Sequence, residues 1–198
     1  MARVEQLDPE EIDDPELNDI FSFIREKQGA VPNHFKVEAN FPEPFVHLFY
    51  AQRALWEDGP LSMELVEKIA VAVSLANGCD YCAGAHCTIL DGAGADREEI
   101  LAFQEGAADG DLSAFEQATI DFALQVNDDP HGVTDETIET LRDGHGLSDA
   151  ALLQLVHAVN VFGAANRVNI VFDTDYDHEW ARDDLATDDE EAAVDAGH

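Results

Sequence analysis

The chain has 198 residues, 45% of them apolar, which suits one medium-sized domain or two tightly fused halves around a substantial core and excludes a disordered protein. Forty-three acidic residues against ten basic ones give a net charge of −33 and a pI near 4.1. So negative a surface repels phosphate backbones and anionic membranes, which argues against nucleic acid or a membrane as partner.

The acidic residues are spread over helix faces and turns, and the chain holds only three lysines. This pattern resembles that of a protein from a salt-in halophile, whose acidic surface keeps it soluble while salt screens the self-repulsion. Only Asp183–Asp195 is a true acidic run, so a disordered tail over 183–198 is expected behind one domain over 1–182. The N-terminus lacks the apolar stretch of a secretory signal. The longest uninterrupted apolar runs, such as Ile69–Val73, fall far below the ~20 residues that span a bilayer. A cytoplasmic protein is therefore expected, and in a reducing cytoplasm a Cys-x-x-Cys pair is more often catalytic or metal-binding than a static staple.

In chain order, Asp13–Gln28 reads as the first helix, with Pro15 in its first turn, Leu17, Ile20, Phe21 and Ile24 on one face and Gly29 as its stop. A short segment with Phe35 and Val37 follows Pro32. Pro42 and Pro44 open an aromatic-rich helix that carries Phe45, Leu48, Phe49, Leu55 and Trp56 and closes at Gly59-Pro60. That stripe either lines a pocket for an apolar substrate or, as is usual at helical spacing, packs the core. Ser62 caps a helix over Glu64–Asn77, and Gly78 ends it. The next helix starts near Cys79 and runs to about Leu90, and another covers Asp96–Gln104. Gly106–Gly110 is a polar loop, and Ser113 caps a helix through Val126. A short helix around Thr134–Leu141 precedes Ser148, which caps the last long helix, Asp149–Phe172. Val168–Phe172 is the only candidate strand, and the fold class is all-α.

Leu61-Ser62 can be laid over Leu147-Ser148, which places Val66, Ile69, Ala72 and Val73 over Leu152, Leu155, Ala158 and Val159. Two pseudo-repeated helical halves would explain this, and so would any two serine-capped amphipathic helices.

Asn77–His86, Asn-Gly-Cys-Asp-Tyr-Cys-Ala-Gly-Ala-His, concentrates the reactive side chains. Spacing of Cys79 and Cys82 brings both sulfurs to one side of a helical turn, and His86, four residues past Cys82, stands on the same face. A free thiol titrates near ~8.5 and is sluggish at neutral pH, but a helix start favours its anion and His86 adds a hydrogen bond or a positive charge. A low-pKa thiolate beside a resolving cysteine is what a thiol peroxidase or a disulfide oxidoreductase needs.

The run from Glu67 to His86 resembles the core motif of the alkylhydroperoxidase D (AhpD) / carboxymuconolactone decarboxylase superfamily, in its peroxidase-related branch. That motif is a glutamate, Cys-x-x-Cys twelve residues later, and a histidine four residues past the second cysteine; Glu67, Cys79, Cys82 and His86 match it. The resemblance is strongest over residues 30–95 and thinner at Asn166–Asn169. It implies an AhpD-like all-helical bundle that forms homo-oligomers and acts as an antioxidant, reducing organic hydroperoxides through a redox-active disulfide without a cofactor. It further implies Glu67 and His86 as a proton relay and an external dithiol, lipoyl-type, thioredoxin-like or other, as reductant. Carried onto this chain, Cys82 is the peroxidatic thiolate and Cys79 the resolving thiol, with the roles open to exchange because Cys79 lies nearer the helix end. Tyr81 stands where alkylhydroperoxidase D proper has a histidine, so it is either an accessory residue or packing. Members that decarboxylate lactones lack the cysteine pair.

Outside the resemblance, Glu67 would read as a surface glutamate, Cys87 as a small buried apolar residue and His157 as a satisfied core histidine. His34, His47, His131, His145, His178 and His198 show no ligand spacing. Two competing readings remain: a zinc-binding structural or sensor module using Cys79, Cys82, His86 and Cys87, and a catalytically silent oligomeric scaffold.

Overall fold

Side-chain caps set where the helices begin. In the computed structural model, which describes residues 1–104, 112–178 and 180, Asp14 accepts from the Glu16 and Leu17 amides and starts α1 (Pro15–Gln28). Helix α1 stops at Gly29, whose φ of 78° suits a residue without Cβ. Short α2 (Asn33–Glu38) and proline-started α3 (Pro42–Glu57) follow. Ser62 caps α4 (Met63–Ala76), and α5 (Asp80–Gly92) and α6 (Arg97–Gln104) come next. Ser113 and Glu116 form a reciprocal capping box at α7 (Ala114–Asp128), as do Thr134 and Thr137 at α8 (Asp135–Glu139). A π-helical turn over Thr140–Gly144 leads to Ser148, which caps α9 (Asp149–Phe172).

The fold is all-α, as expected. Val168–Phe172 is not a strand: these β-branched residues form the last turns of α9, where Asn169 packs inward and tertiary contacts override local strand preference. The polar loop at Gly106–Gly110 and the tail at 183–198 lie outside the described residues.

Helix α4 is the centre. Val66, Ile69, Ala70, Val71 and Val73 are all fully buried, so the helix is apolar around most of its circumference and other helices enclose it. Its Val66, Ile69 and Val73 share one core with Ile120 and Phe122 of α7 and Leu155, Ala158 and Phe162 of α9. A second cluster, Leu17, Ile20, Phe21, Ile24, Phe35, Phe45 and Phe49, joins α1, α2 and α3. The aromatic stripe of α3 is thus largely core, with Leu48 left outside. A third cluster holds Val71, Cys87, Leu90, Ile100 and Trp180.

Helices α4 and α9 begin with the same Leu-Ser step and meet in one core, but the parallel ends at Asn77: α4 stops there, whereas α9 continues unbroken to Phe172. Helix α9 has the length and the mean hydropathy (1.2) to cross a bilayer, which short apolar runs alone did not reveal. Here it packs as a core helix that turns Gln154, Asn166 and Asn169 inward. His157 is exposed on its outer face, not a core histidine, because the buried stripe runs through Leu155, Ala158, Val159 and Phe162 instead.

Candidate active site

The link between α4 and α5 positions the cysteines. Past the Asn77 cap, Gly78 takes φ 69°, its amide bonds to the Leu75 carbonyl at 3.0 Å and the Cys79 amide to the Ser74 carbonyl at 2.8 Å. This double closure is a Schellman motif. It makes Cys79 at once the last residue of one helix end and the N-cap of the next, where its Sγ accepts weakly from the Cys82 amide at 3.4 Å. Gly78→Ala is therefore expected to cost about 1–2 kcal/mol through the left-handed backbone alone, since nothing lies within 4 Å of the missing Cβ. Thermal melting checks this: Gly78→Asn should lose less, because asparagine tolerates this conformation better.

Cys79, Cys82 and Cys87 are free thiols and all buried. Cys79 is 2% exposed and Cys82 3%, so neither sulfur is the more accessible one by virtue of its place at the helix end. Cys87 faces the other way, into the cluster with Val71, Leu90, Ile100 and Trp180, where its Sγ accepts from Gln104 Nε2 at 3.0 Å. Burial pushes its thiol up to about 12. Among the described residues no group of three or more His, Cys, Asp or Glu side chains is arranged to hold a metal ion, and the orientation of Cys87 removes it from the four-ligand zinc set.

Glu67 is not on the surface. It lies on the enclosed α4, fully buried, and its Oε2 meets His86 Nδ1 at 2.7 Å; Oε1 is buried without a hydrogen-bond partner. Burial favours the neutral His86 ring, but the charge of Glu67 and its hydrogen bond outweigh this and raise the pKa. The ring packs edge-on against Phe162, with centroids 4.8 Å apart.

Helix α9 addresses the site with three residues spaced along one face, Phe162, Asn166 and Asn169. Asn166 Nδ2 donates to Ser74 Oγ at 3.0 Å, and its Oδ1 accepts from Asn77 Nδ2 at 2.8 Å, which ties α9 to the end of α4. Asn169 Nδ2 donates to Cys82 Sγ at 3.2 Å, and its Oδ1 meets His34 Nδ1 at 3.2 Å. Burial alone would push the Cys82 thiol up. Hydrogen bonds from Cys79, Asn169 and Asn166 and the positive charge on His86 bring it down to about 7. Cys79 moves the other way: donating to Cys82, burial and the adjacent negative charge all raise it. The rate of iodoacetamide alkylation at Cys82, followed by peptide mass spectrometry, is accordingly expected to rise with a midpoint near pH 7, while Cys79 and Cys87 stay slow until far more alkaline pH.

Tyr81 ties three segments together. Its hydroxyl accepts from the His34 amide at 2.9 Å and donates to Asp177 Oδ1 at 2.9 Å, and its ring lies against Tyr176 and His178. The chain after α9 folds back over the cysteines. Tyr176 packs on Cys79, Tyr81 and Cys82, its hydroxyl bonds to the Trp180 carbonyl, and Asp177 Oδ2 takes the Asn33 amide at 2.8 Å. Gly84 permits this cover, since a Cβ there would collide with the Tyr176 hydroxyl. His34 and His178 thus reach the site although neither shows ligand spacing, and burial lowers both pKa values to about 4, so both rings are neutral at pH 7. His34, His178 and Asp177 come from segments far from Cys82 in sequence, and no local pattern marks them. Only the asparagines of Asn166–Asn169 carried a signal.

Comparison with known proteins places this fold and part of the sequence among similar ones. Residues 46–123 match the carboxymuconolactone decarboxylase family. The fold is similar to that of a structure from Ralstonia eutropha JMP134 described as an alkylhydroperoxidase AhpD core, an uncharacterised peroxidase-related protein. The two share 26% identity over 94% of this chain and 95% of the other, with a TM-score of 0.82. A peroxidase-related protein from Silicibacter sp. TM1040 is 24% identical over 90% and 93% of the two chains (TM-score 0.79), and the debrominase Bmp8 is 22% identical over 87% and 92% (TM-score 0.71). No curated protein matches the sequence. The fold is AhpD-like, and the carboxymuconolactone decarboxylase match falls on the segment that carries Glu67, Cys79, Cys82 and His86.

Proposed function

We propose that the protein is a thiol-dependent hydroperoxidase that reduces organic hydroperoxides with Cys82 and Cys79. The observation that carries this reading is the asymmetry of the pair: two buried thiols one turn apart, of which Cys82 alone receives an amide donor from α9. The Cys82 thiolate attacks one oxygen of ROOH, the O–O bond breaks, and the sulfur becomes a sulfenic acid. The departing alkoxide takes a proton from the His86–Glu67 pair and leaves as ROH. Cys79 then attacks the sulfenic sulfur, water departs, and a Cys79–Cys82 disulfide remains for an external dithiol to reduce. One ROOH and two thiols give one ROH, one water and one disulfide. Oε1 of Glu67, buried and unpartnered, offers the relay a second site for a proton.

Apolar side chains left on the surface, among them Leu153, Ile170 and Val171 of α9, support self-association into a homo-oligomer. The acidic surface supports a salt-loving protein, and solubility and thermal stability are expected to rise from low to molar salt. Steady-state consumption of cumene hydroperoxide with a lipoyl-type or thioredoxin-like dithiol tests the activity. Turnover is expected; peroxide-insensitive thiols, or bound zinc in the purified protein, would overturn it. Because the similar protein Bmp8 is a debrominase, 2,3,4-tribromopyrrole, the ligand of one Bmp8 complex, serves as the competing substrate. Its turnover in the absence of any peroxide activity would replace the hydroperoxidase reading.

A further inference from the structure

The amide that α9 offers to the Cys82 sulfur has a second contact behind it: Asn169 also meets the His34 ring. We propose that Asn169 is the positioning residue of Cys82: its amide nitrogen donates to the sulfur, and His34 holds the amide in the orientation that allows it. This rests on the hydroperoxidase reading and deepens it by naming the pair of residues that holds the Cys82 thiolate.

An asparagine side chain has one end that donates and one that accepts. With Nδ2 on Cys82 Sγ at 3.2 Å, Oδ1 faces His34 Nδ1 at 3.2 Å and accepts from it in the Nδ1–H tautomer of the ring. The flipped amide would set an oxygen lone pair against an anionic sulfur and a donor against the His34 N–H, two repulsions in place of two bonds. A thiol, which can itself donate, would tolerate either orientation; His34 in its Nδ1–H tautomer favours the one that donates to sulfur.

The backbone of His34 is in turn fixed. Its amide bonds to the Tyr81 hydroxyl, that hydroxyl bonds to Asp177, and Asp177 takes the Asn33 amide. Asn169 is anchored by its place on α9, where its carbonyl accepts from the Asp173 and Thr174 amides. Cys79 Sγ has no side-chain amide of this kind among the described residues and accepts weakly from the Cys82 backbone at 3.4 Å. The titratable groups around Cys82 are Cys79, Asp80, Tyr81 and His86 of α5, Glu67 of α4 behind His86, His34 of α2, and Tyr176, Asp177 and His178 of the returning segment. Of these, His34 and His178 are neutral at pH 7. A neutral amide stabilises the anion without adding a second buried charge.

The test is the midpoint of the pH-dependent alkylation of Cys82 in the full chain, resolved by peptide mass spectrometry. It needs no hydroperoxide, so a protein without peroxide turnover would defeat the proposed function and leave this experiment intact. The midpoint is the readout because intrinsic nucleophilicity rises as the thiol pKa rises and partly masks the change in rate. Asn169→Ala is expected to raise the midpoint by about one pH unit, a tenfold loss in thiolate-forming equilibrium. Asn169→Asp, nearly isosteric, should raise it further, and serves if the alanine variant does not fold. His34→Phe should move it in the same direction, whereas His34→Asn, whose amide nitrogen stands near the Nδ1 position, should restore it. An unchanged midpoint in folded Asn169→Asp, or equal shifts in His34→Phe and His34→Asn, would overturn the proposal.

Discussion

Cys82→Ser is expected to reduce hydroperoxide consumption to the uncatalysed background, whereas Cys79→Ser should consume one equivalent and then stop. The difference follows from the asymmetric surroundings of the two sulfurs. Cys82 sits between the Cys79 thiol and the Asn169 amide, with His86 behind it, and these donors outweigh burial to hold its ionisation near neutrality. Cys79, pushed up, stays a thiol that only later attacks the oxidised partner. Without Cys79 the sulfenic acid has no resolving thiol within one turn, because Cys87 faces the Trp180 cluster. Dimedone trapping on Cys82 in Cys79→Ser checks this directly, and His86→Gln should slow the first step while shifting its pH profile upward. Wild-type rates in Cys82→Ser would sink the assignment.

Glu67→Ala is the change expected to cost the fold most among the site residues. Removing one partner of a buried ion pair costs about 3–5 kcal/mol, because the other group stays buried and uncompensated. For a chain of this size that corresponds to a melting temperature lower by roughly 6–20 °C. Glu67 is fully buried and His86 nearly so, at a contact of 2.7 Å, which places the pair in that regime. Glu67→Gln keeps an acceptor for Nδ1 and should cost less. The pH dependence separates charge from packing. His86 binds its proton more tightly in the folded chain than in the unfolded one. Its contribution to stability is therefore fully present below about pH 6.5, the ordinary imidazole value, and is lost as pH rises through the elevated folded value. The stability difference between wild type and Glu67→Gln, which cancels groups that titrate in both, should shrink across that window. A difference independent of pH would mean that the pair is held by packing alone.

Most of the frame was legible in the sequence because caps and glycines act locally. Ser62, Ser113 and Ser148 cap helices where the sequence indicated, Gly78 closes α4, and Asp149–Phe172 is one helix throughout. The i, i+4 relation of Cys82 and His86 was likewise readable. Glu67 was readable only by resemblance: helical spacing cannot show that α4 is enclosed on nearly every side and so carries a carboxylate into the interior. The other half of the site was not legible. His34, Asp177 and His178 arrive by contacts between segments far apart in the chain, and such contacts leave no period behind. The strand-like run at Val168–Phe172 misled for a related reason, since β-branched residues favour strands, whereas here they continue an unbroken helix whose Asn169 reaches Cys82.

The most direct test of the account is a stoichiometric titration of the reduced protein with an organic hydroperoxide, with free thiols counted and peptides mapped. The account predicts that one equivalent removes two thiols, that the product is the Cys79–Cys82 disulfide and that Cys87 stays free. Loss of no thiols, or a disulfide that includes Cys87, would contradict it.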